Sequence, residues 1–199
     1  MRYSMSQLEE DVRNEYIELG ILKPSQIDMH MIAEKLDIWI FHHDRPSRMA
    51  KISGMYSIVL NNNLSPEEEW QDFSHELGHI FRHYGNQHKM INMFRNLQES
   101  QANNFMYHFC VPTFMLLKYN ITNYSNIKDG VPFIAKEFGV TKKFAKKRLN
   151  LFRRKIEQAK FDETFQDFMT PKKAAPYSKE TKAILSKLYQ QLEAKGVHK

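Results

Sequence analysis

His75 and His79 stand four residues apart, with Glu76 beside the first, in the run Phe73-Ser74-His75-Glu76-Leu77-Gly78-His79-Ile80-Phe81-Arg82-His83. Residues at that separation share one face of a helix, so both imidazoles can aim at one point. Two neutral imidazoles can hold a zinc ion. A carboxylate next to them can take a proton from the metal-bound water, whose pKa falls to about 7. The same spacing also fits a surface helix with two solvated histidines. A third ligand separates the two readings, because a catalytic zinc of this kind takes a Glu or a further His and keeps one position open. Glu99 offers it: Glu99-Ser100-Gln101-Ala102-Asn103 lies in a downstream run of helical pattern, where a second, antiparallel helix would return a carboxylate to the metal.

The elements that must position these groups follow from periodicity and capping. Ser6-Gln7-Leu8-Glu9 reads as a capping box opening a helix with Leu8, Val12, Tyr16 and Leu19 on one stripe, stopped at Gly20. Pro24-Ser25 restarts the chain, and Ile27, Met31, Ile32 and Leu36 make a second short helix. The period then changes to that of strands at 38–42, 48–52 and 55–60, broken at Pro46-Ser47 and Ser53-Gly54. His42 and His43 are adjacent in a strand and point to opposite faces, which argues against a shared ion. Ser65-Pro66-Glu67-Glu68 is a helix start, and that helix carries the motif in its interior through Trp70, Phe73, Leu77 and Phe81. The Glu99 helix brings Leu97, Phe105, Met106, Phe109 and Cys110 and is halted by Pro112. Val131 to Leu149 has the pattern of a helix-turn-helix, with Gly139 at the turn and Thr141 capping the second helix; Arg148 stands where such helices bury an aliphatic residue. A Lys-, Ala- and Pro-rich linker follows Pro171, and Ser178 opens a last amphipathic helix with Ile184, Leu185, Leu188, Tyr189 and Leu192 on one side. The class expected is α+β, mainly helical, with a small, mostly antiparallel sheet of about three strands packed on the metal-binding helices.

Composition bounds the setting. With 42% hydrophobic and 26% charged residues the chain suits a water-soluble globular protein, and no uncharged apolar stretch approaches the ~18 residues that a membrane span needs. The opening residues carry no apolar signal-peptide core and Cys110 is the only cysteine, so a reducing cytoplasm is expected and no internal disulfide. Cys110, inside Phe109-Cys110-Val111-Pro112, reads as a buried small hydrophobe rather than a nucleophile. The net charge of +6 is concentrated late, in Lys142, Lys143, Lys146, Lys147, Arg148, Arg153, Arg154 and Lys155. Such a cluster suits DNA, an acidic partner, or simply a solvated helix face; DNA binding would place the lysine-rich helix in the major groove.

At His75-Glu76-Leu77-Gly78-His79, Glu99-Ser100-Gln101-Ala102-Asn103 and Val111-Pro112 the chain resembles the ImmA/IrrE metallopeptidases, gluzincins with a minimal thermolysin-like core, over roughly residues 10 to 150. The metzincin pattern would need a histidine where Gly85 stands. Taken with the composition of the last third, three regions are expected: a zinc metallopeptidase core at 1–128, a basic helix-turn-helix-like subdomain at 129–168, and a linker with a C-terminal helix at 169–199. The resemblance implies His75, His79 and Glu99 as ligands of one Zn2+ (Mn2+ or another divalent ion fits the same set), Glu76 as general base, and Asn103 as a hydrogen-bonding partner of a ligand histidine. His83, Tyr107 and His108 are candidates for a second oxyanion donor. Lys142, Lys143, Lys146 and Lys147 are candidates for nucleic-acid or partner contact. The activity implied is site-specific cleavage of a phage-type or stress-response repressor by a prophage or mobile-element protein, its substrate extended along the sheet edge. A metal-bound anti-repressor without proteolysis, or a DNA-binding regulator acting through the basic helix pair, is the alternative.

Overall fold

The structure is a computed structural model that describes residues 3–52, 54–82, 92–119, 127–169 and 176–194. The chain forms two compact units, residues 1–159 and 160–199. In chain order the first holds α1 (Gln7–Glu18), a 3-10 turn at Pro24–Gln26, α2 (Met29–Lys35), β1 (Ile38–His43), β2 (Arg48–Ile52), β3 (Met55–Asn61), α3 (Pro66–Arg82), α4 (Asn92–Cys110), α5 (Thr113–Leu116) and α6 (Ile127–Glu137). Helix α7 (Lys142–Met169) begins in the first unit and ends in the second, which also holds α8 (Lys179–Ala194).

The helix ends are written in their flanking residues. The Ser6 amide and hydroxyl both donate to Glu9 Oε2 (2.7 and 2.8 Å) at the start of α1. Its end is a Schellman turn: Gly20, at φ +74°, donates to Ile17 and Ile21 donates to Tyr16. Ser65 and Glu68 cap α3 reciprocally, the Ser65 amide to Glu68 Oε2 (3.0 Å) and the Glu68 amide to Ser65 Oγ (3.3 Å). Gly139 at φ +59° turns the chain between α6 and α7, and Thr141 Oγ1 accepts from the Phe144 amide at the start of α7. These are the signals from which the helices were expected.

The α+β class and the three-stranded sheet agree with the sequence, whereas the pairing is mixed rather than mostly antiparallel. The order is β1-β3-β2: β2 and β3 form the expected antiparallel hairpin, but β1 runs parallel to β3, Ile38 opposite Tyr56 through His43 opposite Asn61. Local turn signals reveal the hairpin, while β1 pairs with β3 although β2 comes between them in the chain, a non-local pairing that periodicity does not report. The consequence for function is that β2 lies at an edge of the sheet.

The core joins the sheet to α1, α3 and α4 through Val12, Tyr16, Ile38, Ile58, Leu60, Phe73, Leu77, Phe105 and Phe109. Tyr16 donates its hydroxyl to the carbonyl of Phe109 (2.8 Å), satisfying a last-turn acceptor of α4 deep in the interior. Cys110 is fully buried, and burial pushes its thiol pKa up, as suits a packing residue. Helices α3 and α4 meet at backbone distance. A Cβ on Gly78 would lie 3.0 Å from the Phe105 ring, 3.2 Å from Ala102 Cα and 3.3 Å from Ala102 O. The missing side chain of Gly78 is therefore what lets the motif helix seat against the Glu99 helix.

A second, polar cluster is buried at the junction of α1, α4, α5 and α7. Glu9 accepts from the Tyr3 hydroxyl (2.6 Å), the Thr113 hydroxyl (2.7 Å) and the Lys155 ammonium. Arg148 is only 1% exposed and donates to the Val111 carbonyl (3.1 Å) and Thr113 Oγ1 (2.7 Å). Burial lowers the Arg148 pKa to about 10, against the pull of Glu9 and Tyr3, so it stays a cation near neutral pH. The helix-turn-helix pattern is thus filled at its anomalous position by a charge that has its own buried partners.

In the second unit, the Phe161 and Phe165 rings stack with centroids 6.2 Å apart, and the Ser178 hydroxyl accepts from the Thr181 amide at the start of α8. No residue of α8 is buried, and Ile184, Leu188 and Tyr189 are exposed.

Two outcomes follow from this packing. Gly78→Ala should destabilise the protein by about 1 kcal/mol or more in urea unfolding, because the strain against Ala102 backbone outweighs the gain in helix propensity. For Glu9, burial alone would raise the pKa, but the bonds from Lys155, the Ser6 amide, Tyr3 and Thr113 win and hold it at about 2. A depressed carboxyl stabilises the fold above its unfolded pKa near 4.5 and loses that contribution as pH falls through about 2. Unfolding free energies of the native chain and Glu9→Gln should therefore differ by about 3 kcal/mol at pH 7. At pH 3 that gap should shrink by more than half.

Candidate metal centre

Helix α3 sets His75 and His79 one turn apart, and both turn Nε2 toward α4, the two nitrogens lying 3.1 Å apart. From α4, Glu99 brings Oε2 to 3.3 Å from His75 Nε2 and Oε1 to 3.6 Å from His79 Nε2. Three such acceptors converging on one point suit a cation. Ligands about 2.0–2.1 Å from a tetrahedral zinc lie about 3.3 Å from one another, close to the separations seen. Two imidazoles and a carboxylate are also the donor types that zinc favours, so these residues fit the ion. Among the described residues this is the one group of three or more His, Cys, Asp or Glu side chains able to hold a metal. The side chains of His79, His75 and Glu99 are 4%, 19% and 44% exposed, so the centre opens to solvent on the Glu99 side.

Glu76 sits beside the cluster but outside it. It is 8% exposed, and Oε2 accepts from the main-chain amide of Met49 in β2 at 2.7 Å. Burial raises its pKa to about 7; the Met49 amide opposes the shift, while the charges of Asp72 and Glu99 add to it. A carboxyl poised there can accept and return a proton near neutrality. Sequence reasoning does not find Met49, because its contribution is a backbone donor on a sheet edge and carries no residue-type signal.

The remaining candidates are distributed as follows. Asn103 Nδ2 donates to the Glu99 carbonyl one turn back (2.7 Å), which steadies the turn that carries the carboxylate. Tyr107, a further turn along α4, packs its ring on Phe144 (centroids 4.6 Å) and under the Lys147 ammonium (4.8 Å). His108 is not brought to the cluster. Nine residues beyond Glu99 it faces the other side of α4, with Nδ1 3.8 Å from Glu9 Oε1. Burial and the neighbouring Arg148 depress its pKa to about 3, so it is neutral. His83 lies outside the described residues. His42 Nε2 is 2.5 Å from Glu69 Oε1. Lys142, Lys143, Lys146 and Lys147 are all exposed on α7. No helix among the described residues is long and apolar enough to cross a membrane.

Residues 33–150 match the family described as IrrE N-terminal-like domain, Peptidase M78. The phage-like element PBSX protein XkdA of Bacillus subtilis is 48% identical over 87% of this chain and 86% of its own. The uncharacterized protein YqaB of the same organism is 38% identical over 86% of this chain and 98% of its own. In fold, a Mycobacterium tuberculosis transcriptional regulator superposes with a TM-score of 0.51 at 12% identity over 71% of this chain, which spans less than half (45%) of that structure. With a match over more than half its length and a phage-element relative nearly half identical, the chain belongs to the IrrE N-terminal-like, ImmA/IrrE-type family of metallopeptidases.

Proposed function

We propose that this chain is a zinc-dependent endopeptidase of the cytoplasm that cleaves a phage-type or stress-response transcriptional repressor and so releases the genes it silences. The observation that carries the reading is the convergence of His75, His79 and Glu99 on one point with a buried Glu76 beside them. Family membership and the phage-element relative support it.

His75, His79 and Glu99 hold the ion, and Asn103 steadies the helical turn behind Glu99. When bound, the ion supplies a Lewis acid that polarises a peptide carbonyl and acidifies water. Glu76 takes the proton of the attacking water and hands it to the departing amine, the two roles that a pKa near neutrality serves. Its desolvated surroundings strengthen both transfers, and the Met49 amide fixes which oxygen faces the reaction. The free side of β2, beyond the Met49 amide that Glu76 takes, gives an extended substrate main-chain partners beside the centre.

A structural zinc has no use for a base next to its ligands and is normally closed by four protein groups, which argues against a purely structural ion. Glu76→Gln should retain one equivalent of metal by elemental analysis and lose cleavage of a co-expressed phage-type repressor by a factor of roughly 10²–10⁴, read by mass spectrometry of fragments. Cleavage retained in that variant would rule out Glu76 as the base, whereas wild-type protein that relieves repression while leaving the repressor intact would sink the peptidase reading and leave the anti-repressor alternative. Chelation should abolish activity and zinc should restore it, with manganese addition testing which ion serves; Glu99→Gln should bind zinc at least tenfold more weakly by competition with a chromophoric chelator.

A further inference from the structure

Beside the metal centre a groove of about 320 Å³ runs between α4 and α7, walled by Ser100, Asn103, Asn104 and Tyr107 on one side and Lys147 and Leu151 on the other. We propose that this groove receives an acidic side chain of the peptide substrate and is a specificity site of the enzyme; the inference rests on the peptidase reading.

Position is the first argument. The groove begins at the residue next to Glu99, and Asn103 in its wall is bonded to the Glu99 carbonyl. From Glu99 to Tyr107 the helix rises about 12 Å, the length of three or four residues of extended peptide. A chain lying with its scissile bond at the centre therefore presents a side chain here about three positions away.

Chemistry is the second. The lining contains hydrogen-bonding side chains and one cation, and no acidic residue. Ser100, Gln101 and Asn104 make no side-chain hydrogen bond among the described residues, which leaves their donors for a ligand. Lys147 is exposed yet held over the Tyr107 ring at 4.8 Å, so its ammonium is placed rather than waving in solvent. Lys143, Lys147, Leu151 and Arg154 fall on one face of α7, and the three cations of that row are all exposed. That row adds positive potential on the Lys147 side of the groove and favours a carboxylate over a neutral side chain. A nucleic acid would be drawn by the same charge, but a pocket of carboxamides and a hydroxyl one residue from Glu99 suits a single carboxylate better than a run of phosphates.

The test uses the full-length, zinc-loaded Glu76→Gln protein, which separates binding from cleavage. Fluorescence anisotropy compares a short labelled peptide carrying glutamates, its glutamine counterpart, and a duplex DNA of equal charge. The glutamate peptide should bind at least tenfold more tightly than the glutamine peptide. Lys147→Glu should erase that preference, whereas Lys146→Glu, with the same change of net charge but off the row, should reduce it less than threefold. Melting temperatures of both variants check that the exposed substitutions leave the fold intact. Equal binding of the two peptides, equal effects of the two substitutions, or tighter DNA binding that Lys147→Glu abolishes would each overturn the inference. Cleavage of a peptide library by the wild-type enzyme adds an independent reading: enrichment of Asp or Glu about three positions from the cut supports it, and cleavage without acidic preference rejects it while leaving the peptidase standing. An enzyme that cleaves nothing, yet binds glutamate peptide through Lys147, would refute the peptidase reading alone.

Discussion

Everything at the candidate centre depends on how closely two helices approach. The histidines belong to α3 and the third ligand to α4, so a single ion requires the two axes to come near enough for short side chains to meet. Gly78, in the turn between His75 and His79, removes the atoms that would hold α4 away, and Ala102, one turn beyond Glu99, does the same from the other side. Around this contact the large groups are stacked where they cannot push it apart: Phe105 and Phe109 with ring centroids 5.2 Å apart, and Trp70 against Phe73 and Phe109. Packing density thus becomes coordination geometry. The distances of 3.1 to 3.6 Å between ligand atoms are set by core residues that touch no metal.

The hydrophobic cluster carries the cohesion of the first unit, while the polar cluster around Glu9 ties its ends together. Glu9 caps its own helix through Ser6 and also takes Lys155 from α7, so one carboxylate links the beginning of the unit to a segment almost 150 residues later. Buried charges of this kind contribute little net stability over a well-packed apolar substitute, but they tolerate few alternative arrangements. Arg148 and Glu9 restrict how α7 can lie on α1, α4 and α5, and through His108 the restriction reaches the helix that carries Glu99.

The legibility of the sequence followed the range of the interactions. Helix starts were readable because a cap is settled within four residues, as at Ser6–Glu9 and Ser65–Glu68. The spacing of His75 and His79 is a property of one helix, and so was their shared direction. The parallel partnership of β1 with β3 was not readable, since nothing near Ile38 encodes whether Tyr56 arrives beside it or opposite in direction. Glu9 looked like a capping residue and Arg148 like a misfit in a helix-turn-helix; only the folded chain shows that both belong to one buried cluster. His108 illustrates a different loss. Its neighbourhood in sequence to Glu99 suggests chemistry, but the helical rotation between positions 99 and 108 carries it to the opposite face.

The hydrogen bond that aims Glu76 comes from a peptide group, not from a side chain. Whatever stands at position 49 supplies the same donor, with proline as the sole exception among the encoded residues. The side chain at that edge position is therefore free to vary by mutation while the aim of the carboxylate stays constant.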